Sequence, residues 1–205
     1  FLSTHTGGFE GFTFLDMTEE LPKAAAHWRD LHLDFQAIYS GFLGSERQIG
    51  MVMDFIRDFR TPKTAVVVDP VMGDHGAVYR TYTPAMCQGT ARLAELADVI
   101  TPNLTEAALL LGLPYEALPE GEAGGRELAE RLSLGGRRSV VLTGVSASPE
   151  LTGAVCFDAG TGRLETVQTR RVPREFHGTG DVFSSVLTGA LVRGKTLADA
   201  ARQAV

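Results

Sequence analysis

The chain has 205 residues, 44% hydrophobic and 21% charged, with a net charge of −6, the balance of a folded domain with an ample core. Its scattered basic residues form no stripe with interleaved aromatics, which argues against nucleic acid as a partner. No apolar run approaches the roughly 20 residues of a membrane span. Two cysteines far apart, Cys87 and Cys156, give no disulfide framework and point to a reducing, cytoplasmic compartment.

The start, at Phe1, resembles neither a signal nor a transit peptide. The last residues, Leu197 to Val205, lie inside an apolar helical pattern, so both ends read as cuts in a longer protein. His27 and His32 flank a helix end and read as surface residues. Ala37–Ser40 reads as a strand, and 46–59 as a helix with Ile49, Val52, Met53, Phe55 and Ile56 on its apolar side. Ala65–Val68 is a continuous apolar strand ending at Asp69-Pro70. Residues 84–96 read as a helix, and Val99-Ile100 leads into Thr101-Pro102-Asn103. Thr105 is the expected N-cap of a helix running to Leu111. A further helix spans 122–134, and Ser139–Thr143 is the next buried strand. Segments 153–157 and 164–167 suggest a hairpin turning at 158–162. An apolar helix follows from Val182 to Leu191.

Apolar strands without alternation, separated by helices, predict one α/β domain over 1–205 with a mostly parallel central sheet and helices on both faces. Ligands of such sheets sit beyond the carboxyl ends of the strands. Asp69, Asn103 and Thr143 should therefore share one rim.

The most informative segment is Phe176-His-Gly-Thr-Gly-Asp181. Glycines Gly178 and Gly180 around Thr179, opening onto a helix, leave backbone N–H groups free to converge on an anion. Asp181 places a carboxylate at the mouth of that site, the pairing that phosphoryl transfer to an alcohol needs; otherwise it caps the helix. Asp69-Pro-Val-Met-Gly-Asp74 sets two carboxylates around a tight loop. They either hold Mg²⁺ or its waters near phosphates or form two turns. In Asn103-Leu-Thr-Glu106, Glu106 either reaches a metal through water while Asn103 touches phosphate, or it complements the helix dipole. Thr143-Gly144 offers a hydroxyl and bare backbone to a nucleotide, or is a strand exit. Ser3-Thr-His5-Thr6-Gly-Gly8 suits a polar ligand ring.

Two motif matches fail on context. Gly189-Ala-Leu-Val-Arg-Gly-Lys-Thr196 fits the P-loop expression, but helical spacing precedes it where a strand is required. Gly194 reads instead as a helix C-cap and Thr196 as the next N-cap. Gly178-Thr-Gly180 is no dinucleotide fingerprint, since Phe183 takes the third glycine position. The histidines lack metal-ligand spacing, so no zinc site is expected.

Taken together, Asp69–Asp74, Thr101-Pro-Asn-Leu-Thr-Glu-Ala107 and Gly178-Thr-Gly-Asp181 resemble the ribokinase superfamily. Ser3-Thr-His-Thr-Gly7 and Ser40-Gly-Phe-Leu-Gly-Ser45 resemble its pyridoxal/pyridoxamine kinase branch. The resemblance implies a ribokinase-like three-layer fold and ATP-dependent phosphorylation of the 5′-hydroxymethyl group of pyridoxal, pyridoxamine or pyridoxine. It implies Asp181 as the base and the amides of Gly178, Thr179, Gly180 and Asp181 as the anion hole. Asp69, Asn103 and Glu106 would position Mg-ATP, with Asp69, Asp74 and Glu106 near the metal. Thr143 and Gly144 would contact phosphates, and Val172 and Phe176 would border adenine. His5, Thr6 and Phe42 would line the pyridine pocket, Phe42 standing where many relatives carry tyrosine. The resemblance further implies a homodimer and leaves monovalent-cation assistance open. The family begins with a strand and helix absent from this chain and continues past Val205, so an exposed sheet edge is expected. Hydroxymethylpyrimidine-phosphate kinases are the rival branch; they usually carry cysteine where Asp181 stands. A non-catalytic B6-binding module is the rival of another class, against which Asp181, Asn103 and Glu106 speak.

Overall fold

The structure is a computed structural model that describes residues 2–4, 10–174 and 176–205. β1 (Leu2–Ser3) and β2 (Phe14–Leu15) pair as a short antiparallel ribbon ahead of α1 (Glu20–Asp30). Then come β3 (Ala37–Ser40), α2 (Glu46–Phe59) and β4 (Ala65–Val68). A small hairpin, β5 (Gly73–Asp74) and β6 (Ala77–Val78), leads to α3 (Pro84–Ala94), β7 (Val99–Ile100) and α4 (Leu104–Leu111). The rest is α5 (Gly121–Leu132), β8 (Ser139–Thr143), β9 (Leu151–Asp158), β10 (Arg163–Arg170), α6 (Thr179–Val192) and α7 (Leu197–Ala204).

The main sheet has the order β10-β9-β8-β7-β4-β3. β3, β4, β7 and β8 run parallel, while β9 and β10 form the antiparallel hairpin that the turn at 158–162 predicts. β3 is one edge of this sheet. Because successive strand residues face opposite sides, the run Val66-Val67-Val68 serves two cores. Val66 and Val68 join Ile38, Ile100, Val140 and Leu142 beneath α2, α3, α4 and α5. Val67 joins Val99, Val141, Ala154 and Cys156 beneath α6 and α7. That double demand is why the strands read as unbroken apolar runs. Each fully buried Ile56, Leu93 or Leu128 contributes about 1.5–3 kcal/mol relative to exposure.

Local signals set the helix ends. Ser45 and Thr83 cap α2 and α3 through the N–H groups of Gln48 and Met86, and Pro84 opens α3 where no intrahelical donor is needed. The buried Arg138 donates to the carbonyls of Leu132 and Ala94 (2.8 and 2.6 Å), tying together the carboxyl ends of α5 and α3. α6 closes in a Schellman motif: Gly194 (φ +78°) donates to Leu191, and Lys195 to Ala190. Thr196 then caps α7. The P-loop-like segment is therefore a helix end, a turn and a helix start.

Four expectations need correction. Thr105 does not cap α4. Asn103 does, because its side chain accepts the Glu106 N–H while Glu106 reaches back to the Asn103 N–H. Thr105 lies inside the helix and accepts from Gly76 N–H (2.8 Å). α3 ends at Ala94 and α5 spans Gly121–Leu132, each stopping two residues before the apolar pattern does. The loop after Asp69 contains the β5–β6 hairpin, which lacks any apolar alternation to announce it.

Candidate active site

The rim at the carboxyl ends of β3, β4, β7 and β8 is built by backbone bonds that carry the ladder past the strands. Asp69 N–H donates to Ser40 O (2.8 Å), Thr101 N–H to Val68 O (3.2 Å), and Thr143 N–H to Pro102 O (2.9 Å). Asp69, Asn103 and Thr143 thus stand on one rim, as the sheet topology predicts.

α6 brings its amino end to the same place. Gly178 is its N-cap at φ +81°, a left-handed conformation that favours glycine, and no side chain caps the helix. The first-turn N–H groups are left without an internal acceptor and carry the positive end of the helix dipole. Asp181 lies in that turn and does not cap it. Three residues on, and so on the same helical face, buried Ser184 shares a hydrogen bond with Thr101 Oγ1 (2.9 Å) and donates to Asp69 Oδ2 (3.4 Å). A side chain at Gly180 would lie 3.7 Å from Asp69 Oδ2. At Gly41, beyond β3, a Cβ would lie 3.0 Å from the Tyr39 hydroxyl and 3.4 Å from Asp181 Oδ1. Glycine at that point lets the Asp181 carboxylate approach the backbone leading to Phe42. The Phe42 ring packs against Tyr82 (centroids 6.0 Å apart).

The second half of the rim is held by Asn103 and Glu106. Asn103 Nδ2 donates to Gly73 O (2.9 Å), while Glu106 accepts from Met72 N–H (3.2 Å) and Asn103 N–H (2.9 Å). Both side chains therefore clamp the loop after β4 onto the start of α4. Burial pushes the Asp69 carboxyl up to about 7; the charge of Asp181 adds to this, and the Thr101 and Ser184 hydroxyls oppose it. Burial pushes Glu106 up to about 8, with the Asp69 charge next and the two backbone donors opposing. The Tyr79 phenol is raised to about 12, first by burial and then by Asp74, Glu106, Asp69 and Asp181. One point on the rim thus feels all four carboxylates. Two buried carboxyls, each raised by burial and by a neighbouring carboxylate (Asp181 beside Asp69, Asp69 beside Glu106), are a donor set that a cation relieves. Mg²⁺ fits, since it takes one or two carboxylates and completes its shell with water and phosphate oxygens. Among the described residues no three acidic, histidine or cysteine side chains gather into a ligand cluster. Asp74 stands apart at the half-exposed end of β5, beside His75 (3.6 Å).

Thr143 Oγ1 donates to Pro102 O (3.3 Å), and Gly144 follows at φ +76° with open space around it. Val172 and Phe176 are exposed, 60% and 56%, on the segment between β10 and α6. His5 and Thr6 lie outside the described residues. Sequence reasoning missed Ser184, Thr101 and Tyr39. The spacing Asp181-x-x-Ser184 was an available signal for Ser184, and Thr101 was quoted without a role; nothing marked Tyr39.

The phosphomethylpyrimidine kinase family model matches residues 17–205. A hydroxymethylpyrimidine/phosphomethylpyrimidine kinase of Haemophilus influenzae is 33% identical over 168 residues, 80% of this chain and 60% of its own length. The chain thus spans about three fifths of that curated relative. Among solved structures, a candidate phosphomethylpyrimidine kinase of Bacteroides thetaiotaomicron, crystallised with pyridoxal, superposes with a TM-score of 0.89 at 40% identity, covering 98% of this chain and 71% of that one. Pyridoxal kinase from Lactobacillus plantarum superposes with a TM-score of 0.83 at 32% identity, covering 98% and 70%. With a family model spanning nearly all of its length, and the same α/β architecture in these neighbours, the chain belongs to the phosphomethylpyrimidine kinase family of ribokinase-like proteins.

Proposed function

We propose that the protein, as a homodimer, transfers the γ-phosphoryl group of ATP to the 5′-hydroxymethyl group of a vitamin B6 compound. One observation carries the reading: Asp181 sits at the uncapped amino end of α6 and faces Gly41, at the end of β3. A carboxylate at that point would serve as the base between the helix end and the segment leading to Phe42. Asp181 takes the proton of the alcohol as its oxygen attacks phosphorus. The N–H groups of Gly178, Thr179, Gly180 and Asp181 meet the charge that spreads over the transferred phosphoryl oxygens. Asp69 and Glu106 would hold Mg²⁺, which when bound neutralises phosphate charge. Asn103, Thr143 and Gly144 would border the phosphates, Val172 and Phe176 the adenine, and Phe42 with His5 and Thr6 the pyridine ring.

Pyridoxal bound to a 40%-identical neighbour and the aspartate at position 181 support this substrate class. The alternative, a hydroxymethylpyrimidine alcohol, draws support from the name of the Haemophilus relative. ADP release is followed with Mg-ATP and, in turn, pyridoxal, pyridoxamine, pyridoxine and hydroxymethylpyrimidine, using the full-length protein. Turnover on the B6 compounds is expected. Turnover mainly on the pyrimidine moves the protein to the thiamine branch, and ligand binding without turnover makes it a binding module.

A further inference from the structure

Tyr39 lies in β3, opposite Val67, and packs, as Phe183 does, against the buried cluster beneath α6 that holds Leu187. Its hydroxyl oxygen is sealed from solvent and has no hydrogen-bond partner. A buried hydroxyl without a partner is costly, and a folded protein seldom keeps one without a use. The neighbours indicate the use. The charged groups bearing on it are Asp69 from the end of β4 and Asp181 from α6, and the Ser184 hydroxyl is also near. The Tyr39 oxygen and Asp181 Oδ1 flank one point beside Gly41, at 3.0 and 3.4 Å from it. A carboxylate only accepts, so toward Asp181 the phenol can only donate. Burial and both negative charges keep that phenol protonated.

We propose that the Tyr39 hydroxyl, unpaired in this structure, becomes a positioning donor for Asp181 when substrate binds, holding its carboxylate turned toward the substrate alcohol. The inference rests on the kinase reading of Asp181. The Tyr39 hydroxyl is sealed from solvent, so its effect should fall on turnover and not on binding. Gly41 is part of the same device, because any side chain there would push the phenol and the carboxylate apart.

Tyr39→Phe keeps the ring and removes only the unpartnered oxygen. Expected is a kcat about tenfold lower, the scale of one hydrogen bond to a charged group, with the KM for ATP within about twofold and a melting temperature equal or higher. In an Asp181→Asn background the same change should alter kcat by less than about twofold, since coupled residues do not add. A kcat near wild type, an equal loss in both backgrounds, or a marked fall in melting temperature overturns the proposal. Should Asp181→Asn alone retain full turnover, the base assignment fails and the proposal falls with it. Loss in Asp181→Asn with none in Tyr39→Phe removes the proposal and leaves the kinase reading standing.

Discussion

The base role proposed for Asp181 rests on where its neighbours put it, and the substitution that isolates that role is Asp181→Asn. That change keeps shape and removes basicity, so kcat should fall by about 10²-fold or more while ATP affinity, measured by calorimetry, is largely kept. Asp69 and Glu106 give a second prediction. Their carboxyls ordinarily titrate near 3.8 and 4.5 but are raised to about 7 and about 8 in the fold. Between those limits the folded chain holds protons that the unfolded chain has released, so stability falls as pH rises. Thermal melts should show a lower midpoint at about pH 8.5 than at about pH 5. A divalent cation, which favours the ionised carboxyls, should recover more of that loss at the higher pH. A midpoint that rises with pH would mean that Asp69 and Glu106 are not the buried acids described.

At the scale of elements, glycines separate packing from propensity. Gly50 in α2 has nothing within 4 Å of a would-be Cβ. Gly50→Ala should stabilise the fold by about 0.5–1 kcal/mol in urea denaturation, because alanine loses less freedom in a helix. Gly125 in α5 is the reverse case: its Cβ would meet Val145 at 2.9 Å and Val155 at 3.2 Å. Gly125→Ala should cost about 1–3 kcal/mol as the α5 contact with β8 and β9 is forced apart. Lys195 tests the helix-end reading of the P-loop-like segment. It sits in the Schellman turn between α6 and α7, so Lys195→Ala should leave ATP affinity unchanged; a large loss would restore the rejected motif. Legibility divides along the same line. β3, β4, β7 and β8 were readable because strands covered on both faces must be apolar throughout. The β5–β6 hairpin and the β1–β2 ribbon were not, since Asp74, Ala77, Val78, Phe14 and Leu15 are exposed and leave no burial pattern. The cap of α4 was misread because Asn103 and Thr105 are both good caps, and only the reach of Glu106 decides between them.

In the whole molecule, the strand ends that carry Asp69, Asn103 and Thr143 were legible, since parallel α/β sheets place ligands there. How α6 docks was not. Contacts such as Ser184 with Thr101, or Asp181 with Gly41, join segments that sequence spacing cannot relate. That last contact has a consequence for the order of assembly. A chain emerges amino end first, and β3, β4, β7 and β8 can align beneath α2, α3 and α5 while α6 is still unmade. Loop closure over such a span is slow compared with local pairing. Asp181 and the uncapped amino end of α6 arrive together, on the helix that also seals the second face of the sheet. On the kinase reading proposed above, catalytic competence would be among the last properties the chain acquires, and an unfinished molecule would spend no ATP.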